Sequence, residues 1–205
     1  MAGQQNKGII RFIPNTLTLG RFFLTIIFLV MILYSPKVKH TAFFLDIAFV
    51  FFIITALTDI VDGYLARKFD VTSKFGRMMD PLADKVLVCG AYVCFAIISK
   101  PTLFNITGLN LKIILWAIAI IIIARELFVT ILRHIAEAKG INFAATASGK
   151  LKMFLQSFGI GTIIIKTAHV QRAWGDWITA TVFILMIAST IISGFSSVRR
   201  GKAKI

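Results

Sequence analysis

The chain has 205 residues, 58% of them hydrophobic, and a mean hydropathy of +0.85. Its length would suit one soluble domain, but the apolar residues come in long blocks, which excludes an ordinary soluble core and points to membrane spans. The net charge of +14, from 23 Lys and Arg against 9 Asp and Glu, could suggest nucleic acid. The cations, however, cluster between apolar blocks and form no aromatic-interleaved basic surface. Anionic lipid headgroups and phosphate-bearing substrates are therefore the expected partners, and nucleic acid is not.

Residues 1–12 form a polar, basic juxtamembrane segment in which a short amphipathic helix near 4–12 is expected to lie along the membrane surface. No small-residue cleavage site follows Tyr34, so the first apolar run reads as an uncleaved span and not as a signal peptide. Six segments reach or approach the length of about 20 apolar residues that a span requires. They are 13–34, 41–66, 78–99, 111–133, 149–168 and 175–197. The fifth is the weakest, since it opens with Ser148, Gly149, Lys150 and Lys152 and its apolar part, Phe154 to Ile165, is short. Cys89 and Cys94 lie five positions apart on separate sides of a helix, so they read as packing residues, not as a disulfide or metal pair. His40, His134 and His169 show no ligand-like spacing.

With six spans, both termini share one face with the turns near 67–77 and 133–152. Of the 23 basic residues only Lys37, Lys39, Lys100, Lys112, Lys166 and Arg172 fall on the other face. The richer face is therefore predicted to be cytoplasmic, in a cell inner membrane. No long linker, repeat or low-complexity tract divides the chain, so residues 1–205 read as one all-α, polytopic membrane domain.

Most of the acidic residues lie in or beside apolar spans, where ionisable groups are costly enough to be functional candidates. Asp59 and Asp62 stand at the end of span two, with Gly63 and Ala66 on the same helical face. After a turn at Phe69 to Ser73 come Gly76, Asp80, Pro81 and Asp84, and an antiparallel hairpin would bring the two carboxylate pairs face to face. Four such charges in a low dielectric would repel one another and take up protons unless cations sit among them. Neutralisation by Arg67, Arg77 and Lys85 alone would bury seven charges where apolar packing is available. An oxygen-only donor set without histidine or thiol instead favours a hard ion, Mg²⁺ or Mn²⁺, and four carboxylates suffice for two ions. Two placements of Pro81 are open: Asp80 capping a helix with Pro81 in its first turn, or a helix starting near Ser73 and kinking at Pro81. Asp46, in the outer part of span two, receives no role.

Residues 59–84 read D-x-x-D-G-x-x-A-R, eight residues, then G-x-x-x-D-x-x-x-D. This long gapped pattern resembles the signature of the CDP-alcohol phosphatidyltransferases, and Pro14, Asn15, Thr16, Leu17, Thr18 and Arg21 are similar to that family's P-N-x-L-T-x-x-R run. The resemblance implies a six-span fold, a homodimer, and an active site open to the cytoplasm. It implies that Asp59, Asp62 and Asp80 ligate metal and that Asp84 is the general base and a possible further ligand. It also implies that Gly63, Ala66, Arg67 and Gly76 accommodate the CDP moiety, with Asn15 or Thr18 contacting the nucleotide.

The acceptor alcohol should be legible in cations that this motif does not use. Arg125 lies about 12 Å inside span four from Arg133, at 1.5 Å per residue. With Arg133, Lys150 and Lys152 it makes a more basic set than a neutral alcohol needs, which suits an acceptor carrying its own phosphate. The competing reading of Arg125 is simple pairing with Glu126 or with an aspartate. The segments A-R-E-L-F-V-T (124–130) and A-S-G-K-L-K-M (147–153) resemble family members whose acceptor is glycerol 3-phosphate. The expected reaction is transfer of the phosphatidyl group of CDP-diacylglycerol to that alcohol, releasing CMP, as a step of phospholipid biosynthesis. The alternatives are phosphatidylglycerol, serine or inositol phosphate as acceptor and, from another class, a cation transporter. Transporters tend to hold their carboxylates at the midplane within internal repeats, whereas here they gather near one face and no repeat is visible.

Overall fold

A computed structural model describes the backbone of residues 19–69, 74–106, 108–139 and 147–204. It describes their side chains except at 59–69, 74–81, 137, 147 and 200–204. The described residues are all-helical: α1 (residues 19–34) runs into a 3-10 turn, Ser35–Lys37, and is followed by α2 (Thr41–Phe69), α3 (Lys74–Ile98), α4 (Gly108–Ala138), α5 (Ala147–His169) and α6 (Ala173–Lys204). The expected amphipathic helix near 4–12, and the start of the first span, lie outside the described residues. Four helical stretches among the described residues are long and apolar enough to cross a membrane: Leu19–Lys37, Thr41–Thr58, Gly108–Ala136 and Ala173–Arg199. This is a multi-pass membrane protein.

The chain divides into two compact units, Met1–Ala91 and Tyr92–Ile205, with the boundary inside α3. In the first unit, helical periodicity sets the buried face of each helix. On α1, Arg21, Thr25, Phe28 and Ile32 are buried, whereas Phe23, Ile26, Ile27 and Val30 are exposed. On α2, Leu45, Ala48, Phe52 and Thr55 are buried, whereas Phe43, Val50, Ile53 and Leu57 are exposed. A surface this apolar is unfavourable in water and suits lipid contact. The Phe28 and Phe52 rings meet at 5.5 Å between α1 and α2. Gly90 lets α3 approach α1 closely, since a Cβ there would stand 2.8 Å from Leu29 Cδ1. Thr55 would be an unsatisfied polar group in this packing, but its Oγ1 donates to the Phe51 carbonyl oxygen at 2.7 Å.

In the second unit α6 packs against both α5 and α4. Tyr92 donates its hydroxyl to the Gln156 carbonyl oxygen of α5 at 2.8 Å, passing over Gly159, where a Cβ would collide with that hydroxyl. At the far end of α5, Lys166 pairs with Asp176 at 2.6 Å and ties the end of α5 to the first turn of α6. Most helices outrun the expected spans. α2 has 29 residues and α6 has 32, or about 43 and 48 Å of axis against a hydrocarbon layer of about 30 Å. They must tilt or project into the headgroup layer.

Candidate active site

The carboxylate pattern falls on two consecutive helices of the first unit. Asp59 and Asp62 occupy positions one turn apart in α2, and Asp80 and Asp84 positions one turn apart in α3, with residues 70–73 between the helices. The side chains of Asp59, Asp62, Gly63, Ala66, Arg67, Gly76 and Asp80 lie outside the described residues, as do Asn15 and Thr18. Asp84 is described and is half-buried on α3. Among the described side chains there is no group of three His, Cys, Asp or Glu placed to share a metal ion. The donor chemistry of the four aspartates, all hard oxygens at helical positions one turn apart in each pair, fits a divalent ion such as Mg²⁺ or Mn²⁺.

α3 begins at Lys74, so Pro81 stands inside the helix and Asp80 is not its N-cap. Of the two placements open in the sequence, the helix starting near Ser73 is the one observed. Proline has no N–H, so the Arg77 carbonyl loses its usual helical donor, four residues before Pro81 and one turn before Asp80.

In the second unit the basic residues separate by helix register. Arg125 Nη1 donates to Glu126 Oε1 at 3.0 Å, and Lys152 Nζ donates to the same oxygen. Arg125 Nη2 donates to Ser193 Oγ of α6. The side chains are nearly closed off, at 13%, 12% and 5% exposure for Arg125, Glu126 and Lys152. Glu126 thus stands between one guanidinium and one ammonium group, charged donors of the kind that hold phosphate. Lys150 and Arg133 are exposed. Lys150 lies two residues before Lys152, and neighbours two apart on a helix face different sides. The structure thus gathers Arg125 and Lys152 and leaves Arg133 and Lys150 on helix surfaces.

A line of hydroxyls extends the cluster along α6. Ser189, Thr190, Ser193 and Ser197 are all buried, Gln156 Nε2 reaches Thr190 Oγ1 at 3.5 Å, and Ser189 and Ser197 donate to carbonyl oxygens of their own helix. Sequence reading missed Gln156, Thr190 and Ser193. The available signal was the four-residue recurrence of Ser189, Ser193 and Ser197 within an apolar helix. Glu126 entered only as a possible partner of Arg125, and it proves to hold Lys152 as well.

The sequence matches the CDP-alcohol phosphatidyltransferase family over residues 11–192, a range that includes the aspartate pattern, Arg125 and Lys152. It is 33% identical over 195 residues to a CDP-diacylglycerol–glycerol-3-phosphate 3-phosphatidyltransferase of Bacillus subtilis, covering 89% of this chain and 91% of the relative. A protein of the same name from Rickettsia bellii is 28% identical over 185 residues, covering 90% and 92%. A probable phosphatidylglycerophosphate synthase of Mycobacterium tuberculosis is 28% identical over 188 residues, covering 92% and 80%. With the family pattern matched across nearly the whole chain and mapped onto consecutive helices of a multi-pass membrane protein, this chain belongs to the CDP-alcohol phosphatidyltransferase family.

Proposed function

We propose that the protein transfers the phosphatidyl group of CDP-diacylglycerol to sn-glycerol 3-phosphate, giving phosphatidylglycerophosphate and CMP. The family match and the names of the relatives support the reaction. The observation that carries the choice of acceptor is the nearly closed-off cluster in which Arg125 and Lys152 meet at Glu126. Its guanidinium and ammonium groups suit the phosphate of the acceptor, held by charge-assisted hydrogen bonds. A neutral alcohol would make no use of these charged donors. Arg133 and Lys150 serve as an exposed basic approach to it.

Asp84 acts as the general base, taking the proton from the primary hydroxyl of glycerol 3-phosphate as that oxygen attacks the lipid-side phosphorus. Gly63, Ala66, Arg67 and Gly76, with Asn15 and Thr18, accommodate the CDP moiety. Divalent ions held by Asp59, Asp62, Asp80 and Asp84, two of them and either Mg²⁺ or Mn²⁺, would offset charge on the diphosphate. The family pattern supports a six-span arrangement in which α3 and α5 also cross, acting as a homodimer in the inner membrane with both termini and the site cytoplasmic.

The deciding assay presents purified protein and labelled CDP-diacylglycerol with glycerol 3-phosphate, phosphatidylglycerol, serine or inositol phosphate in turn. Turnover with glycerol 3-phosphate is expected to exceed the others at least a hundredfold, and a preference for any other alcohol would reassign the enzyme within its family. Chelation with EDTA should abolish CMP release, and Mg²⁺ or Mn²⁺ should restore it; undiminished activity after exhaustive chelation would remove the metal from the reading.

A further inference from the structure

Lys152 and Lys166 stand about 21 Å apart along α5. Beside Lys166, at the end of the unit remote from the Arg125 cluster, lies a cavity of about 280 Å³ whose lining includes Lys100, Thr102, Lys166, Thr167 and Gln171. Its lining residues bear two ammonium groups, two hydroxyls and a carboxamide and no carboxylate; the Thr167 hydroxyl donates to the Ile163 carbonyl oxygen at 2.7 Å and is left as an acceptor. Lys166 is 6% exposed and donates to Asp176 Oδ1 at 2.6 Å and to the Val170 carbonyl oxygen at 3.2 Å. An ammonium has three protons, so a third donor direction remains. Lys100 is a half-buried lining residue, and its ammonium makes no ion pair or hydrogen bond among the described residues. Asp176 compensates one of the two charges, so the cavity keeps one positive charge and a set of donors.

Two further observations bear on what it receives. The six-span reading assigns only six Lys and Arg residues to the cation-poor face, and two of them, Lys100 and Lys166, line this one cavity. Trp174 and Trp177 are exposed at the start of α6, and Trp177 packs edge-on against Phe104 at 4.9 Å. Exposed tryptophans of this kind mark the membrane–water boundary, where lipid phosphates lie. The volume is near the lower bound of about 300 Å³ for small-molecule sites and so suits a headgroup and not a whole lipid.

We propose that this cavity is a phosphate-binding site, separate from the Arg125–Glu126–Lys152 cluster and on the opposite membrane face. Lys100 and Lys166 hold the phosphate oxygens, with Thr102, Thr167 and Gln171 as polar neighbours. The phosphate belongs to a phospholipid headgroup or is free in solution, and the two sources share this chemistry.

Thermal unfolding of the purified full chain in neutral detergent separates them. Phosphatidylglycerol, diacylglycerol with the same acyl chains, and inorganic phosphate are added to the wild type and to the variants K100Q, K100R and K112Q. Lys112 is an exposed cation at the start of α4, outside the cavity lining, so K112Q controls for loss of surface charge. Phosphatidylglycerol is expected to raise Tm in the wild type, K100R and K112Q more than diacylglycerol does, and K100Q is expected to lose at least half of that increment. The same K100Q-sensitive increment from inorganic phosphate alone would assign the site to free phosphate. The proposal is overturned if neither phosphate source gives a K100Q-sensitive increment, or if K112Q loses as much as K100Q.

Discussion

Glu126 is the side chain on which the buried basic cluster depends, because it supplies the carboxylate seen between Arg125 and Lys152. Removing one partner of a buried charge group leaves the others uncompensated, at a typical cost of about 3–5 kcal/mol. Glu126→Gln should therefore lower the unfolding temperature well beyond any effect of the exposed variant Lys150→Gln. Lys152→Met deletes a phosphate donor and keeps an apolar stem. It should raise KM for glycerol 3-phosphate at least tenfold while changing KM for CDP-diacylglycerol little, and equal rises in both would argue against an acceptor role. Asp84→Asn should lower kcat by about 10²- to 10⁴-fold, the usual range for a lost general base, with CDP-diacylglycerol binding retained in a filter or calorimetric assay. At this scale the aspartate pattern stands out in the sequence because carboxylates in apolar helices are expensive and therefore conspicuous. Thr190 and Ser193 do not, because a hydroxyl can satisfy itself on its own helix and so passes without cost through an apolar sequence.

Helix positions followed from apolar block length, but helix ends did not. α4 runs to Ala138, beyond the expected end at 133, and α6 to Lys204, beyond 197, because helical hydrogen bonding does not stop where hydrocarbon does. Pro81 shows the same limit, since a proline can open a helix or sit within one and local sequence does not distinguish them. Close helix approach also escaped the sequence. Gly159 and Gly90 look alike in it, yet one faces a Tyr92 hydroxyl engaged in a hydrogen bond and the other a flexible Leu29 methyl. Gly159→Ala should consequently destabilise more than Gly90→Ala. Tyr92→Phe alone should cost about 1 kcal/mol for the lost hydrogen bond and should soften the effect of Gly159→Ala in the double variant. Additive effects in thermal unfolding would mean that the hydroxyl is not the obstacle.

Across the whole molecule, the charge bias predicts an orientation, because basic flanks resist crossing the membrane. A maleimide reagent applied from either side of sealed vesicles tests it. With Cys89 and Cys94 replaced by serine, Lys150→Cys should label from the cytoplasmic side and Gln171→Cys from the opposite side; the reverse pattern would invert the proposed topology. α5 also has a distinctive position in assembly. Its lysines at 152 and 166 find their counter-charges on other helices, Glu126 of α4 and Asp176 of α6. A lone Lys at the centre of an inserting helix costs about 2.5–3.5 kcal/mol, and less toward its ends. α4 brings Glu126 next to Arg125, and the buried serines Ser189 and Ser197 of α6 bond to its own backbone, so both can enter lipid with much of their polarity already quenched. α5 cannot, and during biogenesis it should be retained at the translocon until its neighbours arrive on either side, making it the last segment to settle although it is not the last synthesised.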